Sequence, residues 1–140
     1  MKLLLAVDGS AISTRAAKFV VKLAGQLATP PKIILFHADP PMLQSVAVKV
    51  GMETVQKMHA ENSEHALRAA RAALKRAELN FSERAVVGEP AASVVETAAK
   101  ERCAMIVMGS HGHTGLQRLF LGSVASKVIA ESTVPVTVVR

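Results

Sequence analysis

The sequence predicts an α/β fold, an open parallel sheet with helices on both faces, and three observations carry that prediction. Five short apolar runs alternate with segments whose apolar residues recur at helical spacing. The second run (Ile33 to Ala38) and the fourth (Ala104 to Met108) read as continuously apolar, which suits strands covered on both faces. Parallel strands need crossover connections, and the intervening helical patterns supply them.

The elements follow in order. Leu3 to Val7 is the first strand. Ile12, Ala16, Phe19, Val20, Leu23, Ala24 and Leu27 then recur at helical spacing, with Ser10 or Ser13 placed to cap the start and Pro30-Pro31 to end the helix. Ile33 to Ala38 is the second strand. The segment Asp39 to Gly51, which contains Pro40-Pro41 and no clear period, reads as a long irregular connection. Between about 51 and 79, Leu67, Ala70, Leu74 and Ala77 form a narrow stripe whose alanines predict close packing on the sheet. Arg84 to Val87 is the third strand. Pro90, after Glu89, suits the first turn of a helix that buries Val94, Val95, Ala98 and Ala99. Ala104 to Met108 is the fourth strand, a last helix runs from near Gly122 to about Glu131, and Val136 to Val139 closes the sheet. At about 100–200 residues per domain, residues 1–140 make one domain.

Composition excludes several classes. Hydrophobic residues make up 50%, charged residues 20% and mean hydropathy is +0.30, which excludes intrinsic disorder. There is no Trp or Tyr and only four Phe, so the core is aliphatic and base-stacking recognition of nucleic acid lacks its platforms. Lys+Arg 17 against Asp+Glu 11 gives a net charge of +6. Arg68, Arg71 and Lys75 are interleaved with Glu61, Glu64 and Glu78, however, so they read as a solvated helical face. The single cysteine, Cys103, lies in an apolar run as a small buried hydrophobe. The apolar stretch Leu3 to Val7 is too short for a signal peptide, no run approaches the ~18 residues of a membrane span, and the expected compartment is the cytoplasm.

In open α/β sheets ligands lie outside the carboxyl ends of the strands. Those ends carry Asp8-Gly9-Ser10, His37-Ala38-Asp39, Gly88-Glu89 and Gly109-Ser110-His111-Gly112. Gly109 and Gly112 permit a close backbone approach, with positive φ if required. Gly122-Ser123 opens a helix, where free N–H groups and the positive dipole end favour phosphate. The spacing is neither the dinucleotide-binding G-x-G-x-x-G nor the P-loop G-x-x-x-x-G-K-[ST], and Lys127 lies too far into the helix to serve as a P-loop lysine. On the residues alone, glycines that serve turns remain an equal reading. His111 and His113 are incomplete as a tetrahedral metal site, and His37 reads as a hydrogen-bonded structural histidine. Asp8 and Asp39 are the only aspartates, too few for a phosphorylated receiver domain. A nucleophilic hydrolase is disfavoured because there is no G-x-S-x-G and no plausible acid to orient a histidine.

Several segments together carry a resemblance: Leu5-Ala6-Val7-Asp8-Gly9-Ser10, Leu35-Phe36-His37-Ala38, Val87-Gly88-Glu89-Pro90, Ile106 to Gly112, Leu121 to Val128 and Val134 to Val139. Across nearly its whole length the chain resembles the universal stress proteins, in particular their ATP-binding branch, whose G-x-x-G-x9-G-[ST] pattern is matched at Gly109, Gly112, Gly122 and Ser123. The resemblance implies a Rossmann-like, adenine nucleotide alpha hydrolase-like sheet of strand order 3-2-1-4-5, with ATP at the carboxyl ends of strands 1 and 4. It implies that Asp8 lies by the ribose and adenine, that the Ala38 backbone bonds the adenine edge, and that Met108 and Gly109 line the nucleoside. Ser110, Gly112, Gly122, Ser123 and Val124 are implied around the phosphates, with Mg²⁺ held mainly by phosphates and water. Ala125 is a departure, since ATP-binding relatives often carry a hydroxyl residue there. The family also implies a homodimer through the last strand, Val136 to Val139. The function expected is a nucleotide-dependent switch in stress response, without an assigned catalytic residue or metal ligand. The alternatives are a nucleotide-independent interaction module and a slow ATPase.

Overall fold

A computed structural model describes residues 1–113 and 121–140. In chain order the elements are β1 (Lys2–Ala6), α1 (Ala11–Ala24), β2 (Lys32–Asp39), α2 (Gln44–Val50), α3 (Met52–Arg76), β3 (Phe81–Val87), α4 (Pro90–Lys100), β4 (Met105–Gly109), α5 (Ser123–Glu131) and β5 (Val136–Val139). The strands form one sheet in the order β3-β2-β1-β4-β5, and every pair is parallel. β1 lies at the centre, with β2 on one side and β4 on the other. The strand order therefore reverses between β1 and β4, which opens a crevice at their carboxyl ends.

The central strands are apolar throughout because both faces are covered. Leu3, Leu4 and Leu5 are fully buried, each side chain contributing roughly 1.5–3 kcal/mol on transfer from water. Strand alternation divides the core in two. Leu3, Leu5, Val7, Ile33 and Leu35 pack with Ala16, Ala17 and Val20 of α1 and with Leu67, Ala70 and Leu74 of α3. Leu4, Ile34, Phe36, Ile106 and Met108 pack on the opposite face with Ala91, Val94 and Ala98 of α4 and with Ala125 and Val128 of α5. The alanines let the helix backbones lie close to the sheet, as their spacing predicts.

Several element ends shift by one to three residues from the sequence reading, and three differences have a clear physical reason. α1 ends at Ala24, before the prolines, because Gly25 takes the C-cap and its N–H bonds the Val21 carbonyl. β3 begins at Phe81 rather than Arg84, because an edge strand tolerates the exposed Ser82, Glu83 and Arg84 that conceal it in a hydropathy pattern. The connection after β2 contains a short helix, α2, that buries none of its residues. Its Val46, Val48 and Val50 alternate, so no helical period marks it. Among the described residues no helix is long and apolar enough to cross a membrane.

Candidate functional site

A cavity of about 700 Å³ opens where β1, β2 and β4 end. Its wall includes Asp8, Ala38, Met108, Gly109, Gly112, Gly122, Ser123 and Val124, so residues from four parts of the chain meet in one place. Ser110 is not on that wall. It is buried, its Oγ faces His111 Nδ1 at 2.9 Å, its N–H donates to the Val139 carbonyl, and its carbonyl accepts the Gly122 N–H, both at 2.7 Å.

At the end of β1, Asp8 is held at both its side chain and its main chain. Its Oδ1 accepts the Ser10 N–H at 2.9 Å, and its carbonyl accepts His113 Nε2–H at 2.7 Å. The neighbouring Gly9 has φ +81°, and a Cβ there would lie 3.1 Å from Ala66 Cα, so both the backbone and the passing α3 require glycine.

Among the described residues, the end of β2 presents a backbone edge without a partner on the β1 side. The β1–β2 register stops at Ala6 opposite Phe36, and Val7 N–H donates to the Phe36 carbonyl. Backbone groups alternate along a strand, so the Ala38 N–H and C=O point to the same side as those of Phe36, where the register offers no β1 partner. His37 Nδ1–H donates to the Val7 carbonyl at 2.8 Å, as expected of a structural histidine. Its Nε2 is buried without a partner among the described residues.

Asp39 was not singled out by spacing or composition. It is 8% exposed and lines the cavity, and its Oδ2 accepts both His59 Nδ1–H at 2.5 Å and Asn62 Nδ2–H at 3.0 Å. An acid that orients a histidine is therefore present, contrary to the sequence reading, although His59 does not line the cavity. The available signal was local: His59 and Asn62 are three apart on α3 and so share a face.

The glycines of the β4–α5 connection are placed by crowding. A Cβ at Gly109 would lie 2.8 Å from Ile12 Cγ2 and 3.2 Å from the Ser13 nitrogen, at the start of α1. At Gly112 it would lie 2.6 Å from Asp8 Oδ2, and at Gly122 3.2 Å from His111 Cα. Among the described residues positive-φ glycines are Gly9 and Gly51, so the conformational freedom allowed for Gly109 and Gly112 is not used. Residues 114–120, within the nine-residue spacer of the motif, lie outside the described residues.

α5 begins on the cavity wall, and among the described residues no side chain caps its leading amides. α1 is capped by Ser10, whose Oγ accepts the Ser13 N–H, and α4 by Glu89, whose carboxylate accepts the Ala92 N–H at 2.7 Å. Gly122 brings no side chain to the same position of α5, and the first turn carries no acid. The leading N–H groups and the positive end of the helix dipole are thus turned to whatever the cavity holds. Ala125 is buried in this first turn and also lines the cavity, without a hydroxyl to offer. No group of three or more His, Cys, Asp or Glu side chains among the described residues is placed to hold a metal ion.

Comparison with known proteins gives a consistent result. A sequence model described as the universal stress protein family matches residues 1–140. A universal stress protein of Methanocaldococcus jannaschii is 30% identical over 139 residues, covering 99% of this chain and 81% of the relative. The solved structure of a second protein of that organism, itself called a universal stress protein, superposes with TM-score 0.84 at 28% identity over 99% of this chain and 94% of that one. A universal stress protein solved in complex with cAMP superposes with TM-score 0.72 at 25% identity, covering 100% of this chain and 97% of that one.

Proposed function

The chain belongs to the universal stress protein family, and from that premise we propose that it binds an adenine nucleotide, ATP above all, as a ligand-dependent switch in stress response. One observation carries the reading: the uncapped start of α5 and the bare Ala38 edge open on the same cavity. The first suits an anion and the second suits the hydrogen-bonding edge of a base. The relative solved with cAMP supports the choice of an adenine nucleotide.

In this reading Ala38 pairs with the base, and Asp8, fixed by Ser10 and His113, faces the sugar. Met108 and Gly109 line the nucleoside. Gly112, Gly122, Ser123 and Val124 surround the phosphates, with Ser110 supporting them from beneath through its bond to the Gly122 N–H. Mg²⁺ travels with the phosphates and keeps its remaining positions for water. Binding shifts conformation or partner affinity, and we assign no catalytic residue. The proposal includes a homodimer paired through β5 and a cytoplasmic location.

The test is a calorimetric titration with Mg-ATP of the wild type and of Ser123→Asp. Ser123 is exposed at the first position of α5 and lines the cavity. An aspartate there complements the helix dipole by about 0.3–1 kcal/mol while placing negative charge where the phosphates would sit. Wild-type binding at micromolar concentration, lost in a variant that melts no lower, is the expected result. Absence of binding by folded, nucleotide-free wild type would overturn the reading in favour of a nucleotide-independent interaction module.

A further inference from the structure

We propose that Asp39 reads the nucleobase: the free oxygen of its carboxylate accepts a hydrogen bond from the exocyclic amine, so that the cavity selects a 6-amino over a 6-oxo purine. The inference rests on the adenine nucleotide reading and names the residue that gives it specificity. Two donors from α3 converge on Oδ2, His59 Nδ1–H at 2.5 Å and Asn62 Nδ2–H at 3.0 Å. Oδ1 accepts nothing among the described residues, yet Asp39 lines the cavity and is 8% exposed. Burying a carboxylate carries a desolvation cost that fixed donors only partly offset. Here the donors also stop the group from rotating, so the remaining lone pairs hold one position beside the cavity.

The order of backbone groups brings the amine to that position. Along β2 the Ala38 N–H precedes its C=O, and the chain then continues to Asp39. A purine that pairs with both sets its ring nitrogen acceptor against the N–H and its amine against the C=O, at the end of the edge nearer Asp39. One amine proton meets the Ala38 carbonyl, and the second is left for Oδ1. A 6-oxo purine would turn lone pairs toward both the carbonyl and the carboxylate, with no proton between them.

The anchoring also dictates what Asp39→Asn does. With His59 and Asn62 both donating to the Oδ2 position, the asparagine oxygen must sit there, and its NH₂ takes the place of Oδ1. An acceptor becomes a donor without a change of shape. The experiment titrates the full chain, wild type and Asp39→Asn, with Mg-ATP and with Mg-inosine triphosphate. Wild type should prefer ATP by about tenfold or more, the margin of a hydrogen bond to a charged group, and the variant should lose about tenfold of that preference while gaining affinity for the inosine nucleotide. An unchanged preference in the variant overturns the role of Asp39 and leaves the adenine reading standing on Ala38, whereas no preference in the wild type overturns base recognition by both Asp39 and Ala38. Failure of wild type to bind either nucleotide overturns both. Should the variant fail to fold, N6-methyl-ATP tests the wild type alone. That ligand keeps one amine proton for Ala38, so affinity equal to that of ATP overturns the proposal and a loss of about tenfold supports it.

Discussion

Gly112 and Asp8 are 104 positions apart in the chain, yet a single methyl group on one would collide with the carboxylate of the other, 2.6 Å away. The glycine at 112 is therefore first a packing requirement, set by how closely the loop approaches the end of β1. Gly112→Ala is expected to cost about 1–3 kcal/mol through overpacking. In the background of Asp8→Ala, where the opposing carboxylate is gone, most of that cost should disappear, a coupling of about 0.5–3 kcal/mol in a denaturation cycle. Additive losses would show that the glycine is needed for another reason. At this scale Gly109, Gly112, Gly122 and Ser123 stood out in the sequence by their spacing after a strand, with turn service an equal reading until their packing was seen. Asp39 did not, because one acid after an apolar run resembles any solvated strand end until α3 is laid over it.

The helices differ in how their first turns are satisfied, and those differences separate the capped starts of α1 and α4 from the start of α5 on the cavity wall. Glu89 caps α4, and the Ala92 N–H donating to its carboxylate, with Lys127 of α5 nearby, holds its pKa below the ordinary value of 4.5. Glu64 and Glu101 are held low in the same direction, by Arg71 and by Arg84 with Lys2. A carboxylate with a lowered folded pKa contributes stability above its unfolded value and loses it as pH falls through the folded value. Melting temperature should thus fall as the solution is acidified below about pH 4.5, and Glu89→Gln should flatten part of that slope. At neutral pH the same variant is expected to cost about 0.3–1 kcal/mol, the worth of an acid at a helix start. An acid limb identical to wild type would refute the assignment to Glu89. Pro90 after an acid made the start of α4 readable in sequence. α2 was hidden because its valines alternate, its N-cap Leu43 makes no side-chain cap and nothing buries it.

For the whole molecule, β5 is an edge strand whose four residues are each half-buried, and the dimer proposed through it is tested by light scattering at micromolar concentration. The expected mass is twice 14.8 kDa, and a mass near 14.8 kDa would remove the dimer from the proposal. Part of the basic complement is paired on the surface, since Arg71 is clamped by Glu64 and Glu83, and Glu101 bridges Lys2 and Arg84. Sequence alone determined the class of the fold, the location of its central strands and the end of the sheet at which the cavity opens. Burial on both faces of β1, β2 and β4 is a local property, written as consecutive apolar residues and as helical stripes that any reading of period recovers. Only the tertiary structure decided the meeting of Asp39 with His59 and Asn62, of Gly112 with Asp8, and of the bare Ala38 edge with the start of α5. Each depends on which strand ends first and which helix crosses it, and closure of the chain sets those relations where local pattern does not.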